Sequence, residues 1–139
     1  MYAHSKRTFG LILFSISLSI ASAQEREGSP SYQDTLHYIQ ERLDGGLEET
    51  GHCSFVYHDS SDQTFDAKSL SPHLSWEDKH EASINCKGGK RCVEYYGSDK
   101  PRDFWIFRTK TDTNRDKTEK AILHLLKLCG VRPAKPDLF

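Results

Sequence analysis

The residues with chemical potential in this chain are histidines, cysteines and a scatter of cations. Six histidines lie beyond the first 23 residues: His37, His52, His58, His73, His80 and His124. His52 and His58 flank an alternating stretch with Asp59 and Asp62 nearby, and a His/Asp group is raw material for acid–base work or metal binding. Residues six apart on a straight strand stand about 20 Å from one another, so these two histidines cannot share one metal. Scattered surface histidines are the simpler account, and His124, at the border of an apolar helix face, is expected to bond a nearby carbonyl. No Gly-x-Ser-x-Gly, His-Glu-x-x-His or phosphate-loop pattern occurs. No catalytic residue is assigned, and no metal or cofactor is expected.

The four cysteines are Cys53, Cys86, Cys92 and Cys129. Cys86 and Cys92 have five residues between them rather than the two to four of a zinc knuckle, and no second close pair exists. An even count in a small exported chain reads as two disulfides, with three possible connectivities. A thiolate nucleophile would need a free cysteine beside a base, which such a set does not offer. The run Cys86-Lys-Gly-Gly-Lys-Arg-Cys92 centres on a glycine pair suited to a hairpin turn. A two-residue loop would put Cys86 opposite Arg91, whereas a three-residue loop with a glycine bulge would put it opposite Cys92. The second is favoured, which leaves Cys53 for Cys129.

Charge is uneven along the chain. Residues 24–81 carry 13 acidic and 4 basic side chains, while residues 82–139 carry 7 acidic and 13 basic. Lys87, Lys90, Arg91, Arg108 and Lys110 are the candidate anion-binding residues of the basic half. Five of the histidines, His37, His52, His58, His73 and His80, lie in the acidic half. Their protonation below about pH 5.5 would reduce its repulsion of an anion. The aromatics Trp76, Tyr95, Tyr96, Phe104, Trp105 and Phe107 could build a stacking surface, but alternation turns most of them toward a core.

These groups need elements to hold them. Ser31 followed by Asp34 marks a helix start, Tyr32, Leu36, Ile39 and Leu43 recur on one face, and Gly45-Gly46 ends it. From Gly51 to Thr109 the period shifts toward two, and short runs bounded by Gly, Pro, Asp or Ser predict antiparallel strands. They are Cys53 to Tyr57, Thr64 to Leu70, a run through Ile84 and Cys86, one through Val93 and Tyr95, and Phe104 to Arg108. Ser71 to Lys79 reads as a loop or an edge, because Pro72 cannot donate to a ladder. A last helix is expected to start at Thr113 and stop at Gly130, packing through Ala121, Ile122, Leu125, Leu126, Leu128 and Cys129, an arc of about 160°. Leu123 falls outside that arc and is expected to be partly exposed.

Length and leader bound the rest. Lys6 and Arg7, an apolar run from Phe9 to Ile20, and Ala21-Ser22-Ala23 form an export signal cut after Ala23. The run of 12 residues spans about 18 Å as a helix against a hydrocarbon core of about 30 Å, too short for an anchor. Gln24 follows the cut where a lipidated protein would need Cys. Residues 24–30 are a flexible start and 31–139 a single domain, secreted or periplasmic. The exported part carries 17 basic and 20 acidic side chains, which argues against a nucleic-acid partner.

The C-terminal run Lys120-Ala121-Ile122-Leu123-His124-Leu125-Leu126-Lys127-Leu128-Cys129-Gly130 resembles the ending of a group of small exported bacterial proteins and domains of unknown function, which close a disulfide-bonded β domain with a K-A-x-x-H-x-x-x-L-C-G helix. The leading helix, the Cys of the first strand and the close Cys pair with glycines between also resemble that group. The resemblance implies a pleckstrin-homology-like or similar small barrel and assigns no activity. The expected fold is therefore α+β: an antiparallel sheet or small partly open barrel of about five strands, with N- and C-terminal helices. The expected function is that of a non-catalytic binding or inhibitor-like module with an anionic or protein partner outside the cytoplasm. The alternative is a small secreted hydrolase, ribonuclease-like, using His58 with a Lys or Arg.

Overall fold

The computed structural model describes residues 28–133. The expected export leader, its expected cut after Ala23 and residues 24–27 lie outside the described residues, as do residues 134–139. Helix α1 (Tyr32–Arg42) begins where the sequence places it, with Ser31 Oγ accepting the Asp34 N–H at 3.1 Å. That bond satisfies one of the amide donors a helix start leaves open. Leu36, Ile39 and Leu43 are buried. The narrow stripe they form is stabilised by packing on helix α2 (Arg115–Leu128).

After Leu43 the chain reverses at Gly45, whose φ is 126° and where a Cβ would stand 2.6 Å from the His58 carbonyl. Only glycine fits there. Seven strands follow: β1 (Gly46–Gly51), β2 (Ser54–His58), β3 (Gln63–Asp66), β4 (Leu70–Trp76), β5 (Glu81–Cys86), β6 (Glu94–Tyr95) and β7 (Phe104–Arg108). They make two antiparallel sheets, one of four strands in the order β1-β2-β3-β6 and one of three in the order β4-β5-β7. The fold is α+β, and among the described residues the sheets do not close into a barrel.

Several expectations are corrected. Among the described residues the strands number seven rather than about five. β1 escapes the sequence reading because Gly-Leu-Glu-Glu-Thr-Gly buries only Leu47 fully, so its polar face outweighs its apolar one. β3 ends at Asp66, where a 3-10 turn, Ala67–Ser69, replaces the expected continuation to Leu70. Of the two readings of Ser71 to Lys79, the edge holds through Trp76: Ser71 to Trp76 forms most of β4, an edge strand, and the ladder is irregular between Leu70 and Leu74, where Pro72 brings no N–H.

The Gly88-Gly89 segment is not a hairpin tip either. β5 pairs with β4 and β7, whereas β6 joins the other sheet beside β3. The glycines, at φ 60° and 67°, serve a 3-10 turn, Lys87–Gly89, that carries the chain from one sheet to the other. At the last helix the cap is Asn114, which accepts the Lys117 N–H at 3.0 Å, while Thr113 bonds the Arg42 carbonyl instead. Leu128 is 41% exposed rather than packed.

The core lies between the sheets and the helix pair. Phe55, Tyr57, Phe65, Trp105 and Phe107 are all buried. The Trp105 ring centre lies 4.5 Å from that of Phe65 and 4.6 Å from that of Phe107. Cys53 is bonded to Cys129 and Cys86 to Cys92, with Cα separations of 5.7 and 5.9 Å. The first staples the β1–β2 turn to the end of α2. There Gly130 N–H bonds Lys127 O at 3.0 Å and Val131 N–H bonds Leu126 O at 2.9 Å, a glycine-dependent helix stop that leaves Cys129 facing the core. No helix among the described residues is long and apolar enough to cross a membrane.

Candidate functional site

Register decides which cations meet. Leu70 pairs with Cys86 in the β4–β5 ladder, so the 3-10 turn ending at Ser69 lies beside the one beginning at Lys87. Lys68 from the first turn and Lys87, Lys90 and Arg91 from the second line one hollow of about 470 Å³. The Cys86–Cys92 bond closes the second turn over seven residues, and Cys92 N–H points to Cys86 Sγ at 3.2 Å. All four cations are exposed, and none of them makes an ion pair among the described residues. Asp66, the one carboxylate of the hollow, caps the first turn by accepting the Lys68 N–H at 2.9 Å. The hollow thus has a net formal charge of about +3, in a setting where fixed turns hold the backbone.

The other two sequence candidates are elsewhere. Arg108 pairs across β5 with Glu81, at 3.2 Å, at the opposite end of that strand from Cys86. Five strand steps put it about 17 Å from the lysine turns. Lys110 lines a separate hollow of mixed charge with Glu41, Arg42, Asp112 and Lys117. Three of the five candidates therefore come together and two do not. Lys68 was missed by sequence reasoning, although Asp66 two residues before it is a cap signal for a turn.

The histidine group has its own geometry. His52 lies in the turn before β2 and His58 at its far end, and the His52 ring is tilted against Tyr32 with ring centres 4.9 Å apart. His58 Nε2 lies 2.8 Å from Glu48 Oε2, and Nδ1 lies 2.9 Å from Asp62 Oδ1. Glu48 was missed because β1 was missed: Gly46 pairs with His58, which places Glu48 diagonally beside it on the same sheet face. Hydrogen bonds to Glu48 and then Asp62 hold the His58 pKa above its ordinary value. Beside it runs a groove of about 590 Å³ whose lining includes Asp62, Glu94, Tyr96 and Asp99 and no Lys or Arg. Tyr96 is 82% exposed.

That arrangement suits a base poorly. A general base needs a free lone pair, and both ring nitrogens face carboxylates. His124 bonds the Pro30 carbonyl at 3.0 Å. Among the described residues no three or more His, Cys, Asp or Glu side chains converge as a metal site. Of the candidate aromatics, Trp105 and Phe107 are buried, Trp76 is tied to Glu119 through Nε1 at 2.8 Å, Arg102 lies over the half-buried Tyr95 and Phe104, and Tyr96 is exposed. Compared with known proteins, the chain matches no family profile, no curated protein and no solved structure.

Proposed function

We propose that this is an exported, non-catalytic binding module, inhibitor-like in its small disulfide-stapled build, that holds an anionic group of its partner in the Lys68, Lys87, Lys90 and Arg91 hollow. The observation that carries this is four exposed cations, without ion-pair partners among the described residues, on two adjacent turns, one of them closed by a disulfide. Cations that are not neutralised internally keep their attraction for an incoming anion, and rigid turns reduce the entropy lost on binding. The two disulfides support residence in an oxidising compartment, where the leader would send the chain. Kinship with the exported bacterial group is part of the same proposal and rests on the sequence run Lys120 to Gly130 alone. The hydrolase reading is less well supported, because both ring nitrogens of His58 face carboxylates and no Lys or Arg lines the groove beside it among the described residues.

Inorganic polyphosphate is a suitable probe. Its addition should shift backbone NMR signals confined to residues 66–69 and 86–92, and should bind more weakly as salt rises, since exposed charges act over about 8 to 10 Å at ordinary ionic strength. Replacing Lys68, Lys87, Lys90 and Arg91 together by Gln should abolish the shifts. Shifts centred elsewhere, or binding unaltered in the fourfold variant, would overturn the proposal.

A further inference from the structure

We propose that His58 is a pH-dependent latch: as an imidazolium it ties β1 to the β2–β3 loop, and through Asp62 it holds the Tyr96 rim of the neighbouring groove in place. A carboxylate only accepts hydrogen bonds, and a neutral imidazole has one N–H and one lone pair. With Glu48 at 2.8 Å from one nitrogen and Asp62 at 2.9 Å from the other, both nitrogens must carry protons for the arrangement to be attractive. Asp62 passes the constraint on, because its carbonyl accepts the Tyr96 N–H at 2.9 Å. One ionisable ring therefore connects β1, β2, the loop between β2 and β3, and the segment after β6.

The surroundings are one-sided. Glu48 faces His58 from β1, Asp62 from the loop that also carries Asp59, and Glu94 and Asp99 line the groove from β6 and the loop beyond it. Lys100 and Arg102 are the cations of that loop, and neither lines the groove; Arg102 is stacked on the Tyr95 ring at 3.8 Å. Removing the ring proton thus leaves a lone pair against a carboxylate with no cation to take its place. A neutral imidazole in water ordinarily keeps its proton on Nε2, which preserves the bond to Glu48 and releases Asp62. The loop then loses its tether, and the Tyr96 rim loses the partner that positioned it. The device is independent of the lysine hollow, which lies toward the other end of β3.

Proton and nitrogen NMR of the histidine rings, followed across pH in the oxidised protein, tests it together with hydrogen exchange at the Tyr96 amide. His58 should lose its proton above the ordinary value of about 6.5 and become the Nε2–H tautomer. Glu48→Gln and Asp62→Asn should each pull its midpoint back toward that value. Tyr96 protection, corrected for the intrinsic pH dependence of exchange, should fall as pH rises through the His58 midpoint in the wild type and show no such step in Asp62→Asn. A His58 midpoint at or below 6.5, a midpoint unmoved by both variants, or Tyr96 protection constant across it would overturn the latch.

Discussion

The Gln63 carboxamide completes the hydrogen bonding of Ile106: its Nε2 donates to Ile106 O at 2.8 Å, and its Oε1 accepts the Ile106 N–H at 3.2 Å. Gln63 belongs to β3 of the four-stranded sheet and Ile106 to β7 of the three-stranded one. The side chain thereby supplies a rung between two sheets whose strands do not pair, at a site 1% exposed. Gln63→Leu would leave two backbone groups without partners, each costing about 1 to 3 kcal/mol when buried. Urea unfolding of the oxidised variant should show a loss of about 2 to 4 kcal/mol, and a loss below about 1 would mean that water reaches Ile106.

Tyr57 joins the same sheets. Its hydroxyl donates to Asp44 O at 2.6 Å and accepts the Arg108 N–H at 3.2 Å, and burial pushes its pKa up to about 12. Because the folded value is raised, the neutral phenol stabilises the fold fully below about pH 10. That contribution is lost as pH climbs toward 12. Wild-type thermal stability should decline over that alkaline window more steeply than that of Tyr57→Phe, and parallel declines would remove Tyr57 as the cause.

The two disulfides should differ in worth. They close sequence separations of 76 and 6 residues, for which chain entropy gives about 4 to 5 and about 2 kcal/mol respectively. Calorimetry of the paired Ala variants should therefore show the larger drop in Tm for Cys53 with Cys129. The Cys86 and Cys92 variant should stay folded but lose affinity for polyphosphate, because the second lysine turn is no longer closed. Equal affinity with and without that bond would show that the turn holds its shape unaided.

Acid stability carries a separate signature. Asp78 Oδ1 accepts the N–H groups of His80 and Glu81, both at 2.7 Å, in the β4–β5 turn, and these bonds hold its pKa below the ordinary carboxylate value of 3.8. A depressed folded value means that the stabilisation is present above pH 3.8 and is lost as pH falls through the folded pKa. Asp78→Asn should lower neutral stability slightly and flatten the stability profile at its acid end, since it lacks the ionised carboxylate at every pH. An identical acid limb in both proteins would count against the turn as a contributor.

Gly88 tests the lysine turn without touching a charge. Its φ is 60° and a Cβ would meet nothing within 4 Å, so Gly88→Ala meets backbone strain alone. The expected cost is about 1 to 2 kcal/mol for a non-glycine residue held in that region. Weakened polyphosphate binding should accompany it, and an alanine variant as stable and as tight as wild type would show that the turn relaxes to another shape.

Sequence by itself determined the local features: the Ser31 cap, the apolar stripe of α1, the glycine stop of α2 at Gly130, and the alternation that buries Phe55, Tyr57, Trp105 and Phe107. Each depends on residues within one or two turns or along a single strand, where spacing dictates which side chains share a face. The tertiary structure alone decided the partners. Leu70 opposite Cys86 brings Lys68 to Lys87, Gly46 opposite His58 brings Glu48 to the ring, and β6 crossing to β3 denies the glycine pair its hairpin. The physical reason is that strand register is chosen by the burial of whole faces against distant chain. Lys68, Glu48 and Gly88 carry little apolar surface of their own, so they are placed by a choice that other residues make.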